Sequence, residues 1–137
     1  MDILSFSTIA AQIKNEISRT CGLNLSQTRI LLYFDKNGNQ PLKMGSLANK
    51  LNISLSTLSR QLQQKKTLTL VKIIRSESDS SKSVVLNDAG VRKADELKAT
   101  LKQIEQMLFE DLSQGEISQL NAIINQLLTK LETAKSL

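Results

Sequence analysis

Two short helical patterns lie side by side in residues 46–66, SLANKLNISLSTLSRQLQQKK, and this stretch constrains the fold more than any other. A helix-turn-helix needs a small residue where its two helices cross and a turn residue that adopts a positive φ at low cost. Ala48 and Asn52 stand at those positions. The stretch therefore predicts crossed helices at 45–51 and about 55–66, with Ser54 as the N-cap of the second. The apolar residues expected to face the core are Leu47, Ala48, Leu51, Ile53, Leu58 and Leu62.

The residues before this stretch predict two further helices. From Asp2 to Thr20 apolar residues recur every three or four positions, which is typical of an amphipathic helix, and Gly22 is a natural stop. Ser26 is expected to be the N-cap of the second helix, which ends at the turn-forming run DKNGN.

Beyond the stretch the hydrophobic period changes from helical to alternating. The runs TLTLVKIIRS and SVVL predict a hairpin with strands 69–75 and 83–86 and a polar tip at 76–82. A long helix then begins at Asn87 or Asp88, and the S-x-x-E box of Ser113 and Glu116 opens a last helix. We expect a single domain, 1–137, that is mainly α with a small two- or three-stranded β-wing.

The positive charge of the chain is concentrated in one segment. Residues 41–86 contain eight basic and two acidic residues, a net charge of +6, whereas the rest of the chain sums to −1. Localised positive potential favours a polyanionic partner, nucleic acid first and an anionic membrane surface second. A solvated basic face without a partner is the alternative. The eight cations are Lys43, Lys50, Arg60, Lys65, Lys66, Lys72, Arg75 and Lys82.

Several classes of function lack the residues they need. The chain has no histidine and one cysteine, Cys21, so the usual zinc sites and Ser-His or Cys-His catalysis are excluded. No glycine-rich phosphate loop, secretory signal or long apolar run is found. We therefore expect a cytoplasmic protein that is not an enzyme, binds no cofactor or metal and does not enter a membrane.

The order of elements and four segments of sequence resemble the MarR-type (multiple antibiotic resistance regulator) family of bacterial transcription factors. The segments are LNLSQTRILLYF, LKMGSLANKLNISLSTLSRQL, LNDAG and LSQGEISQLNAIINQLLTKL. The resemblance implies a winged helix-turn-helix lobe at 24–90 and a helical dimerisation region at 1–22 and 88–137. It also implies an obligate homodimer whose first and last helices intertwine, recognition helices in successive major grooves of double-stranded DNA, and a small-molecule effector, here of unknown identity.

The outward face of the predicted helix at 55–66 contains no acidic residue. Such a face suits a groove lined by phosphates, and its hydroxyl, amide and guanidinium groups can bond base edges. A serine- and glutamine-rich helix that is merely soluble is the alternative. Residues expected near bases are Ser54, Ser56, Thr57, Arg60, Gln61 and Gln64, although the hydroxyl of Ser54 is also wanted for capping. Residues expected at phosphates are Lys43, Lys65, Lys66, Arg75 and Lys82.

The chain departs from the family's pattern at the end of this helix and in the wing. Lys65 and Thr69 stand where relatives carry an apolar residue and a glycine. The run SESDSSKS replaces the usual Asp-x-Arg of the wing, so we expect weaker or less selective wing contacts, with Glu77 and Asp79 opposing the phosphates. Cys21 is interpreted as a small buried thiol in preference to a redox sensor.

Apolar stripes on the last two helices fit either an intramolecular core or a dimer surface. The heptad-like spacing over residues 91–108 favours the dimer surface. The residues expected to form it are Ile3, Phe6, Ile9, Ile13, Leu120, Ile124, Leu127 and Leu131. Our leading hypothesis is a dimeric, sequence-specific DNA-binding transcriptional regulator, with repression favoured over activation. The alternative is a winged-helix protein-interaction module that has lost specific operator binding.

Overall fold

A computed structural model describes residues 1–135 of the 137-residue chain. Within them the chain forms seven helices and three short strands, which confirms the predicted fold class. The elements are α1 Ser5–Cys21, α2 Leu25–Lys36, β1 Leu42–Lys43, α3 Met44–Lys50, α4 Leu55–Leu62, α5 Lys65–Leu68, β2 Val71–Arg75, β3 Lys82–Leu86, α6 Asp88–Leu108 and α7 Gln114–Lys135. None of the helices in this part of the chain is both long and apolar enough to cross a membrane.

Helices α3 and α4 form the predicted helix-turn-helix. Asn52 lies in the left-handed region with φ 58°, and the backbone N–H of Ile53 donates to the Ala48 carbonyl at 3.0 Å. Ala48 is buried, as the crossing of two helices requires, and Leu58 and Leu62 of α4 are completely buried. The small residue and the asparagine turn therefore act as the sequence predicted.

The three strands form one antiparallel sheet in the order β1-β3-β2. Val84 of the central strand pairs with Leu42 on one side and Ile73 on the other, and its side chain is fully buried. The hairpin of β2 and β3 closes where the Ser76 N–H donates to the Ser81 carbonyl at 3.0 Å. This hairpin is the wing, and β1 is its third strand.

The described chain divides into two compact units, Met1–Lys102 and the residues from Gln103 onward. The first unit contains the helix-turn-helix, the sheet and a core to which α1, α2 and α6 also contribute. The division into a DNA-binding lobe and a dimerisation region is a functional one and stays a prediction. Core residues of this unit include Ile17, Leu23, Ile30, Leu31, Phe34, Leu47, Leu58, Leu62, Val84, Leu86, Ala94 and Leu97.

The helix expected at 55–66 ends earlier than predicted. Helix α4 stops at Leu62, and Gln64 is extended with ψ 134° before α5 begins. Continuing the buried face of Leu58 and Leu62 by one helical turn would bring Lys65 and Lys66 into the core, and burying an unpaired ammonium group is costly. The chain breaks instead, and residues 67 and 70 become buried.

Two further expectations are corrected. Asn24, rather than Ser26, is the N-cap of α2, because its side chain accepts from the Gln27 N–H while the Gln27 side chain accepts from the Asn24 N–H. The stripe on α6 is not wholly a dimer surface, since Ala94 and Leu97 are buried within the single chain. The other predicted caps are confirmed: Gly22 at the end of α1, Ser54 at the start of α4 and the box at the start of α7.

Candidate nucleic-acid interface

Helix α4 presents the polar face that the sequence predicts. Ser54, Ser56 and Arg60 are exposed, and Thr57 and Gln61 are half-buried. The opposite side of the helix is held by completely buried leucines. Five of the six predicted base-reading residues therefore lie on one short helix or at its cap, within a frame that fixes the helix to the core.

Hydrogen bonds along α4 arrange this face before any ligand is present. The Ser54 Oγ accepts from the Thr57 N–H at 3.1 Å and donates to the Thr57 Oγ1 at 2.8 Å, so it is occupied in capping, as expected. The Thr57 hydroxyl also accepts from Arg60 Nη2 at 3.3 Å. Since a guanidinium has five donors, most of those on Arg60 remain available to an acceptor in solvent.

The remaining predicted base-reading residue, Gln64, is not on α4. It lies in the break before α5, where its Oε1 accepts from Asn24 Nδ2 at 3.3 Å. Lys66 is also engaged, because its ammonium group donates to the Gly22 carbonyl at 3.0 Å. Lys65, at the first position of α5, is exposed, and its ammonium group donates no hydrogen bond to any residue that the structure describes.

The cations of residues 41–86 form no salt bridge with any carboxylate of the described residues. The salt bridges among the described residues are Glu16–Arg19, Lys93–Glu96, Asp35–Lys98 and Asp95–Lys98, and all of them involve only residues outside this segment. An ordinary solvent-exposed surface gains stability by mixing charges of opposite sign. The basic segment instead keeps its positive charges available.

Three cations lie on the three strands at the tip end of the wing. Arg75 and Lys82 face each other as the last cross-strand pair of the hairpin, and Lys43 pairs with Ser83 next to them. Like charges placed directly opposite on neighbouring strands destabilise a hairpin. A bound polyanion would relieve this repulsion, which favours a phosphate-binding role for this end of the sheet.

The carboxylate of Asp79 folds back onto the wing tip. Hydrogen bonds from Ser81, including its N–H at 2.8 Å, hold the pKa of Asp79 below its usual value, with a smaller contribution from the charge of Lys43. The carboxylate thus serves as an acceptor that shapes the turn. It remains ionised, as the predicted opposition to phosphates requires.

Two asparagines anchor the base of the wing. Asn39, with φ 54°, donates from Nδ2 to the Leu86 carbonyl at 3.2 Å and accepts from the Leu86 N–H at 3.0 Å, so its amide imitates a neighbouring strand. Asn87 donates from its backbone to the Leu70 carbonyl at 3.1 Å and from Nδ2 to the Thr69 carbonyl at 3.0 Å. Sequence reasoning assigned Asn39 only to a turn-forming run and missed this role.

Apolar side chains are exposed on α1 and, separately, on α7. Ile3 is 71% exposed and Leu131 60%, and Phe6, Ile9 and Leu127 are also exposed. The other predicted dimerisation residues are half-buried; they are Ile13, Leu120 and Ile124. Ile123 and Leu128, which the sequence analysis did not single out, enlarge the apolar surface of α7.

An open groove of about 780 Å³ lies within the second compact unit. Its lining comes from the end of α6, the connection after it and the first half of α7. The apolar side chains in it belong to the connection and to α7; they are Phe109, Leu112, Ile117, Leu120 and Ile124.

The single cysteine lies in the core of the first unit. Cys21 is buried, and its Sγ lies 3.3 Å from the Thr100 hydroxyl, which agrees with its interpretation as a core thiol.

Solved structures of transcription regulators share this fold. MarR superimposes with a TM-score of 0.79 at 15% identity, covering 99% of this chain and 95% of that one. The MepR–DNA complex of S. aureus gives 0.76 at 20% identity, covering 95% and 98%, and AbsC of Streptomyces coelicolor, a MarR family transcriptional regulator, gives 0.74 at 20%, covering 93% and 86%. No protein-family model and no curated protein matches the sequence. The structural likeness extends over nearly the whole chain, which makes this a winged-helix protein with the MarR-type fold.

Proposed function

We propose that this protein is a dimeric transcriptional regulator that binds specific sites in double-stranded DNA through α4. The observation that carries the proposal is the exposed, acid-free face of α4, within a segment, 41–86, whose eight cations form no salt bridge with any described carboxylate. The MepR–DNA complex, a structural neighbour, supports DNA as the partner. An enzymatic function has no comparable support, because the neighbours are regulators.

Sequence readout is assigned to the side chains on the outer face of α4. Arg60 can donate two parallel hydrogen bonds to O6 and N7 of guanine, and Gln61 can bond N6 and N7 of adenine. The short side chains of Ser56 and Thr57 allow the helix to approach the bases closely. Since Gln64 lies beyond the end of α4 and already has a partner, it is left out of this proposed set.

Phosphate contacts are assigned to four cations whose side chains form no hydrogen bond or salt bridge within the described part of the chain. They are Lys43, Lys65, Arg75 and Lys82. Lys66 is left out, because its ammonium group donates to a backbone carbonyl. Contacts to phosphates position a protein on the duplex without specifying sequence, and they make its affinity fall steeply with salt.

Dimerisation is proposed through the exposed apolar residues of α1 and α7 and the groove of the second unit. An exposed apolar patch on either unit marks an interaction site, and a second copy carries the same patches. Two copies would present two α4 helices to half-sites about one helical turn apart, on a roughly palindromic operator. Occupying that operator would repress transcription. A small-molecule effector of unknown identity and a cytoplasmic location complete the proposal.

The test is selection of bound fragments from genomic DNA, followed by titration of a selected fragment and a random duplex of equal length over a range of salt. The regulator should bind the selected fragment more tightly, with affinity for both falling as salt rises. Arg60→Ala should cost roughly 1–3 kcal/mol on the selected fragment, whereas Lys65→Ala should weaken both duplexes alike. Arg92→Ala, an exposed arginine on α6, is the matched control and should change neither.

A protein-interaction module that has lost operator binding is the second candidate. It is favoured by the wing tip at 76–81, which contains no arginine to enter the minor groove. Binding to genomic fragments no tighter than to random duplex would reject the regulator and leave this candidate.

A further inference from the structure

The carboxyl end of α4 is tied to the start of α2 by side chains. After α4 ends at Leu62, the extended Gln64 and the short helix α5 carry three polar side chains back to residues 22–27. We call this network the break clamp. Its members are Gly22, Asn24, Gln27, Gln64, Lys66 and Thr67.

Three hydrogen bonds cross between the two segments of the break clamp. Asn24 Nδ2 donates to Gln64 Oε1 at 3.3 Å, and Lys66 Nζ donates to the Gly22 carbonyl at 3.0 Å, both at the surface. The third joins Gln27 Nε2 to Thr67 Oγ1 at 3.3 Å, and here both residues are buried, at 3% and 2% exposure. The buried pair is the centre of the network.

The same side chains also cap α2. Gln27 Oε1 accepts from the Asn24 N–H at 2.9 Å, and Asn24 Oδ1 accepts from the Gln27 N–H at 2.9 Å. Gln27 therefore uses its amide oxygen to start α2 and its amide nitrogen to hold α5. Because one side chain serves both purposes, a displacement of the α4–α5 break must also disturb the start of α2.

Apolar burial alone does not fix the direction of α4. The contacts of Leu58 and Leu62 with the core are non-directional, whereas hydrogen bonds define both a distance and an angle. Contacts to base edges need the reading side chains held within about 0.5 Å of the productive geometry, but long lysines can follow a phosphate that has shifted. Loss of the break clamp should therefore affect sequence reading more than general DNA affinity.

We propose that Gln27 and Thr67 are positioning residues for sequence specificity, which set the orientation of α4 in the groove without touching DNA. This inference rests on the proposed function. Thr67→Val removes the hydroxyl acceptor with little change of shape and leaves the buried Gln27 amide without its partner, whereas Thr67→Ser keeps the hydroxyl. Thr100→Val is the matched control, since Thr100 is also a buried threonine but lies outside the break clamp.

The experiment measures Kd values for a genomic fragment selected by the unsubstituted protein and for a random duplex of equal length. The three variants and the unsubstituted protein are compared at one salt concentration, with the folded fraction checked by circular dichroism. Thr67→Val should weaken binding to the selected fragment roughly three- to tenfold, the range of one hydrogen bond, and binding to the random duplex less than about twofold. Thr67→Ser and Thr100→Val should keep the preference of the unsubstituted protein.

The possible failures are distinguishable. An unsubstituted protein without any preference overturns the proposed function and this inference with it. A preference that survives Thr67→Val, or one that Thr100→Val reduces equally, overturns only the inference. So does a parallel loss of affinity for both duplexes, because that is the result of a purely structural role.

Discussion

Replacing Gly90 with alanine should destabilise the protein, even though alanine is the better helix former. Gly90 lies in the first turn of α6, against the Leu70 carbonyl at the base of the wing. A Cβ at this position would lie 2.1 Å from the Leu70 oxygen and 3.1 Å from the Leu86 Cβ. Restoring even a 3.0 Å separation requires the backbone carbonyl to move by about 0.9 Å.

The expected size of the effect follows from three contributions. Moving the Leu70 carbonyl away from α6 breaks its 3.1 Å hydrogen bond with the Asn87 N–H, a loss of about 1 kcal/mol. Overpacking of a tight contact costs typically about 1–3 kcal/mol. Alanine returns about 0.5–1 kcal/mol through its helix preference. The overpacking and the lost hydrogen bond together outweigh the helix preference of alanine. Gly90→Ala should therefore lower the free energy of unfolding by about 1–3 kcal/mol.

Urea denaturation followed by circular dichroism, at fixed protein concentration, measures this difference. Gly115→Ala is the matched control, because a Cβ there would meet nothing closer than the Ser113 hydroxyl at 3.8 Å. It should leave stability unchanged or raise it by up to about 1 kcal/mol. If Gly90→Ala is as stable as the unsubstituted protein, or if both variants shift alike, the steric reasoning is refuted.

Three other predictions concern the wing and the dimer. Asn39→Ala and Asn39→Gly both lose the hydrogen bonds to β3, but only alanine is strained at φ 54°. In urea denaturation the alanine variant should therefore be less stable than the glycine variant by roughly 1 kcal/mol. Equal stability of the two variants would contradict this reasoning. Asp79 has a lowered pKa, so its stabilisation of the wing tip is complete above its ordinary value of 3.8 and is lost as the pH falls through the lower value in the folded protein. As the pH falls over that acidic range, hydrogen exchange at the Ser81 amide should become faster in the unsubstituted protein than in Asp79→Asn. The Asp79→Asn variant has no carboxylate to protonate and should show no such loss of protection at this amide. Leu131→Glu should weaken dimerisation roughly 10- to 100-fold in sedimentation equilibrium, the effect of about 1.5–3 kcal/mol for one buried leucine. Gln126→Glu adds the same charge at a polar exposed position and should leave dimerisation unchanged. If both variants weaken dimerisation equally, the apolar interface is rejected.

Local features of the fold were readable from the sequence because they depend on neighbours a few residues apart. The period of apolar residues predicted most of the helices and the hairpin, and the αL turn at Asn52 and the stop at Gly22 followed from single residues. The acid-free face of α4 and the localised charge were equally visible, since composition and helical spacing define both. The capping box of Asn24 and Gln27 also had a local signal, three residues apart, which was overlooked in favour of Ser26.

Features that depend on distant contacts were decided only by the tertiary structure. The sequence by itself determined which polar side chains lie on the outward face of α4 and that none of them is acidic. Where that helix ends depended on what the core could accept: it rejects the ammonium groups of Lys65 and Lys66 and admits Thr67, which meets Gln27 across 40 positions of chain. The pairing of Asn39 with Leu86 spans 47 positions. No periodicity reports such contacts, because they arise from the packing of whole elements against one another.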